Sequence, residues 1–177
     1  PKAFFFDTEL ASVANKNDFS VLATSLLASS IESFICKSSW DLSDFFALKA
    51  IKLISENALS ASKGNSKAIE NMLYAQYCAG IAFSNGGAAF ATAASLSVEA
   101  AVGISFSKSI IPIFKESMEF NAASTGQKYK AIAVNMGAKV SSSASPESFR
   151  KTAVTSVEKF FKELSAAKKV EEVKISK

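Results

Sequence analysis

The side chains that could do chemistry in the apolar stretches of this sequence are hydroxyls and two thiols. Ser25 and Ser29 stand one helical turn apart, so a helix would place both on one face. An alcohol or thiol becomes a nucleophile when a base removes its proton, and the usual base is an imidazole. The sequence contains 0 His. A Ser-His or Cys-His pair is therefore impossible, and the commonest transition-metal ligand is missing. Most hydrolase and zinc-enzyme readings end there. Cys36 and Cys78 both fall within apolar helical patterns, which predicts buried free thiols of a reducing compartment; a disulfide between them stays open at this point. Nothing matches GxGxxG or a GGGS-type phosphate loop, so no cofactor is expected.

The elements that would hold these residues are helices. The stretch NMLYAQYCAGIAFSNGGAAFATAASL, Asn71 to Leu96, lies in a run without formal charge between Glu70 and Glu99 and is expected at the centre of the molecule. Its Ala, Gly and Ser content would let helices approach closely, and Asn85-Gly86-Gly87 breaks it in two. The run exceeds the ~20 residues that a bilayer requires. Gln76, Ser84, Asn85 and the glycine pair interrupt it, however, and its apolar residues are mostly Ala with weak transfer energies, so no membrane partner is expected. PKAFFFDTEL meets acids at once after its short apolar run and does not read as a signal peptide. Lys and Arg (20) and Asp and Glu (16) are interspersed, as in KESMEF and EKFFKEL, which describes a solvated surface and not a nucleic-acid stripe. With 177 residues, 49% of them hydrophobic, a single helical domain over 1–177 is expected.

Along the chain, Ala3 to Phe6 reads as one short strand for which no second convincing strand exists. A helix is expected from Phe19 to Cys36, capped at Asp18 or Ser20, with Leu22, Leu26, Leu27, Ile31, Phe34 and Ile35 as its stripe. The next, capped by Asp41 or Ser43, runs to about Leu59 with Phe46, Ala50, Leu53, Ile54 and Leu59 inward. SASKGNS breaks the pattern, and Ser66 is expected to cap a helix from Lys67 to about Ser84. Further helices are expected from Ala88 to about Val102, from Ile110 to Phe120 with Pro112 in the first turn, and from Thr125 to Met136 with Gly137 as cap. SSSASP then leads into a helix with Ser145 as cap and Pro146 at its first position, whose Phe149, Ala153, Val157, Phe160, Phe161 and Leu164 share one face. The tail 165–177 is expected to fray.

Taken in order, PKAFFFDTEL, IESF, LSDFFALKAIKLISENALSA, KAIENMLYAQYCAGIAFSNGG and MEFNAASTGQKYKAIAVNMG resemble the C-terminal helical domain of the iron-containing (group III) alcohol dehydrogenases, the dehydroquinate synthase-like fold. The resemblance implies an all-α multi-helix bundle with one short N-terminal strand or extended segment. Members of the family bind Fe(II) or Zn(II) through one Asp and three His, and the metal polarises an alcohol oxygen while a nicotinamide held by an N-terminal domain takes the hydride. Carried over by position, the Asp falls on Ser25, the first His on Ser29, the next on Thr92 and the last on Phe106; a further His common in the family falls on Leu96. These vestigial positions offer neutral hydroxyls and a phenyl ring, poor donors for such ions, so no metal is expected.

Two readings of Ser25, Ser29 and Thr92 stand side by side. They are small fillers whose hydroxyls bond back to carbonyls one turn earlier, or they line a surviving small-ligand pocket, with Phe106 expected to fill the void. The resemblance further implies that the nucleotide-binding half and the family's last helices are missing from this chain. The expected function is a catalytically inactive remnant of the helical domain, cytoplasmic, serving as a binding or assembly module. The alternative is the helical subunit of a split NAD(P)-dependent alcohol or aldehyde oxidoreductase. The expected partner is a nucleotide-binding-domain protein or a second copy, engaged through the N-terminal segment.

Overall fold

The most apolar long helix among the described residues lies at the centre of the fold, with five of the other helices packed on it. In the computed structural model the residues described are 3–12, 16–124, 126–141 and 143–164. Among them eight helices follow in order: α1 (Thr8–Ser12), α2 (Lys16–Ile35), α3 (Asp41–Ala61), α4 (Ser66–Gly86), α5 (Phe90–Val102), α6 (Phe106–Ala122), α7 (Lys128–Asn135) and α8 (Pro146–Glu163). The architecture is all-α.

Helix α2 touches α3, α4, α5, α6 and α7. Leu27, Ala28 and Ile31 are fully buried on it, and so are Thr24, Ser30 and Glu32. A helix enclosed on nearly every side has no solvated face for its polar residues, so they turn inward to its own backbone. Thr24 Oγ1 donates to the Ser20 carbonyl and Ser30 Oγ to that of Leu26, both at 2.7 Å. The window Asp18–Ile35 is also the one described helix long and apolar enough to cross a bilayer, and 72% of it is buried inside the fold, as befits a core helix. The centre is thus α2, and the charge-free stretch 71–96 supplies two of the helices, α4 and α5, packed against it.

Helices α3 and α4 form a hairpin whose buried faces are rich in alanine: Ala47, Ala50, Ala58 and Ala61 on one, Ala68, Ala75, Ala79 and Ala82 on the other. Small side chains let the two backbones approach. At Gly86 a Cβ would stand 2.9 Å from Ser43 Cβ, so only glycine fits. Gly87 follows at φ 83 and ends α4. There Trp40 Nε1 donates to the Asn85 carbonyl (3.2 Å) and Ser38 Oγ to that of Gly86 (2.7 Å), which latches the α2–α3 turn to the α4–α5 turn. On another flank Lys128 Nζ donates to the Phe34 carbonyl (2.6 Å), at the C-terminal end of α2, and pairs with Asp44 of α3 at 3.0 Å.

The helix ends differ from expectation in instructive ways. Helix α2 begins at Lys16, so Asp18 and Ser20 lie inside it and do not cap it, and Ser20 is buried. Asp41 is the first residue of α3. Its cap is Trp40, whose N–H donates to Ser43 Oγ at 2.9 Å. Asn65, not Ser66, caps α4 by accepting from the Ala68 N–H (2.9 Å). Helix α5 starts at Phe90, and α6 starts at Phe106, so Pro112 is interior to α6. The carbonyl that Pro112 deprives of a partner belongs to Lys108, which is exposed. Helix α7 runs Lys128–Asn135, and Gly137 follows it at φ 84; Thr125 lies outside the described residues. Ser145 and Pro146 start α8 as expected, with the Ser148 N–H donating to Ser145 Oγ at 3.2 Å, and all six residues of the expected face are buried. Leu59 and Leu22, expected inward, are exposed. The expected frayed tail, 165–177, lies outside the described residues.

No strand occurs among the described residues. Residues 3–7 have no regular secondary structure, and Asp7 Oδ1 accepts from the N–H groups of Glu9 (2.9 Å) and Leu10 (3.0 Å), which nucleates α1 instead. Lacking a sheet to join, Phe4 and Phe6 pack on Tyr77 of α4, with ring centroids 5.5 and 6.0 Å away. Phe5 remains 91% exposed.

Candidate functional site

Helices α2, α4, α5 and α6 enclose a cleft with two lobes. The first, of ≈ 460 Å³, is walled by Ser25, Leu26 and Ser29 of α2, Ile69, Met72 and Gln76 of α4, and Phe106 at the start of α6, with Ala11 and Phe19 at its edge. The second, of ≈ 340 Å³, is walled by Gln76, Ala79, Gly80 and Phe83 of α4 and by Thr92 and Leu96 of α5. Leu26, Ser29, Gln76 and Phe106 line both. The four positions singled out in the sequence, Ser25, Ser29, Thr92 and Phe106, therefore come together around one cleft. Phe106 is only half-buried, and the cleft beside it is open. The ring lines both lobes and leaves them open.

The hydroxyls differ in what they bond. Ser25 Oγ donates to the Leu22 carbonyl at 2.9 Å and Ser29 Oγ to the Ser25 carbonyl at 3.0 Å, both within α2. Thr92 is 1% exposed, yet its Oγ1 has no hydrogen-bond partner. Thr92 is the third residue of α5, so the residues one turn before it lie ahead of the helix. The Ala88 carbonyl accepts from Cys36 Sγ (3.2 Å), and the Ala89 carbonyl accepts from the Ala93 N–H (3.2 Å). Ser95, one turn further on, has a helical carbonyl beneath it and donates to Ala91 at 2.6 Å.

The backbone of Thr92 is held from outside its own helix. Glu32 of α2 is 0% exposed, and its carboxylate accepts from the Ala91 N–H (2.9 Å), the Thr92 N–H (2.6 Å) and Ser117 Oγ of α6 (3.2 Å). Ala91 and Thr92 are the second and third residues of α5, the positions a capping side chain serves, and the cap residue Ala89 has no polar side chain. Glu32 replaces that cap from across the core, and its negative charge sits at the positive end of the helix dipole. Sequence reasoning did not assign it this role. The one signal was an acid alone in the apolar stripe LLASSIESFI, a residue type that is buried only when its oxygens are satisfied.

Among the described residues, none lining either lobe carries a formal charge. Among the described residues, no group of three or more His, Cys, Asp and Glu could hold a metal ion. Iron or zinc needs anionic oxygen, thiolate or imidazole donors. The hydroxyls that line the cleft, Ser25, Ser29, Ser84 and Thr92, are all neutral, and Glu32 already accepts three hydrogen bonds and is not among the described lining residues, so these residues do not fit such an ion. The thiols stand apart from one another in character. Cys36 is half-buried just beyond α2, short of the burial expected for it, whereas Cys78 is buried on α4; both are free. Burial pushes the Cys78 thiol up from its ordinary value, although a hydrogen bond from Tyr74 and the charge of Lys49 oppose the shift. Tyr74 is raised in turn, first by the Cys78 sulfur.

Comparison with known proteins agrees with this geometry. Lactaldehyde reductase of Escherichia coli K12 is 29% identical over 157 residues, covering 89% of this chain and 41% of the relative. NAD-dependent methanol dehydrogenase of Bacillus methanolicus is 43% identical over 63 residues, 34% of this chain and 16% of that protein. The crystal structure of a 1,3-propanediol oxidoreductase superposes with a TM-score of 0.85 at 21% identity, over 90% of this chain and 42% of that one, which shows the shared fold. The chain thus spans about two-fifths of the length of the lactaldehyde reductase and of the propanediol oxidoreductase. The sequence profile of the Fe-containing alcohol dehydrogenase family, C-terminal domain, matches residues 23–177, and the chain belongs to that family.

Proposed function

We propose that this chain is a retired catalytic domain of the family, one that serves as a helical binding or assembly module and does not itself oxidise alcohols through a metal. The observation that carries the reading is the lining of the cleft: Ser25, Ser29, Thr92 and Phe106 meet there, and among the described residues neither lobe has a carboxylate, thiol or imidazole on its walls. On this reading the four are vestigial metal positions. The metal chemistry of the family has no donors here, while the buried face of every helix around the cleft is intact. The module would reside in the cytoplasm, where Cys36 and Cys78 stay reduced.

A second reading, a helical subunit of a split NAD(P)-dependent oxidoreductase, is favoured by Phe5, which projects into solvent beside Phe4 and Phe6 and would be covered by another protein. Capture of the tagged chain from its native cell extract separates the two. Under the first reading, no nucleotide-binding protein of the alcohol dehydrogenase type comes down in equal amount, and neither the chain nor its complexes oxidise alcohols. An equimolar nucleotide-binding partner, with NAD(P)-dependent activity in the complex, would establish the second.

A further inference from the structure

We draw no further inference here: the strongest candidate, the cleft of ≈ 670 Å³ where the turns that follow α2, α4 and α6 meet, has Cys36, Lys37 and Lys128 on its walls, but Lys128 is spent on the Phe34 carbonyl, Ser39 Oγ and Asp44, which leaves a lone thiol beside an exposed lysine and nothing in the structure that points to a ligand.

Discussion

Glu32→Ala is the substitution that tests the architecture of the cleft. It removes a carboxylate that accepts three hydrogen bonds in a dry core and strands the N–H groups of Ala91 and Thr92 at the start of α5. Each buried donor left unmade costs about 1–3 kcal/mol, and losing the buried methylenes adds about 0.8 kcal/mol apiece. Against this stands the relief of no longer burying a charge, several kcal/mol. Breaking a buried charged group's network from one side usually ends at about 3–5 kcal/mol of lost stability, which is the value expected here. For a domain of this size that corresponds to a fall in melting temperature of roughly 6–20 °C. Glu32→Gln retains one acceptor but brings an NH₂ towards a backbone N–H, so about half that loss is expected. Urea unfolding followed by circular dichroism measures both, and amide hydrogen exchange should show α5 losing protection first. A loss below about 1 kcal/mol for Glu32→Ala, or unchanged exchange in α5, would refute the claim that Glu32 caps this helix.

Phe114 on α6 is fully buried and 6.1 Å in ring-centroid distance from Phe161 of α8; Phe114→Ala should cost about 3–5 kcal/mol in urea unfolding. Ser145→Ala removes the acceptor for the Ser148 N–H at the start of α8 and should cost about 1 kcal/mol by the same assay. Under native conditions a thiol reagent should label half-buried Cys36 quickly and buried Cys78 only as the protein unfolds, so two equally fast phases would contradict the packing of α4. Because burial raises Cys78 in the folded state, the neutral thiol is favoured by folding. Its contribution is therefore fully present below the ordinary thiol value of 9.0 and is lost as pH rises beyond it. Cys78→Ala should flatten the alkaline fall in urea midpoint, and an unaltered slope would show that another group causes it.

The sequence was most readable where local chemistry agrees with packing. Ser145-Pro146 sets the start of α8 and the spacing of its apolar residues names the buried face, because cap, proline and stripe all act within a few turns. Gly86 and Gly87 end α4 for reasons carried in the residues themselves. What stayed hidden depends on long-range partners. Phe4 to Phe6 have strand propensity, but no second strand exists among the described residues to pair with, so Asp7 caps a short helix and the rings find Tyr77. Pro112 suggested a helix start, yet α6 begins at Phe106 and strands a carbonyl only at exposed Lys108. The centrality of α2 was obscured by its serines, which look polar in a sequence and are apolar in effect once they bond their own backbone. Of the cleft, the four positions came from a family resemblance. Glu32's place depends on α5 and α6 meeting α2, which a sequence does not display.

The most direct measurement is anaerobic equilibrium dialysis against Fe(II) and, separately, Zn(II), with metal analysis of the native chain beside the S25D/S29H/T92H/F106H variant. The account predicts no stoichiometric metal in the native chain and one ion per chain in the variant, because the four positions surround one cleft and lack only donors. An equivalent of tightly held metal in the native chain would contradict the claim of a retired site. A variant that folds and still binds none would contradict the assignment of those four positions.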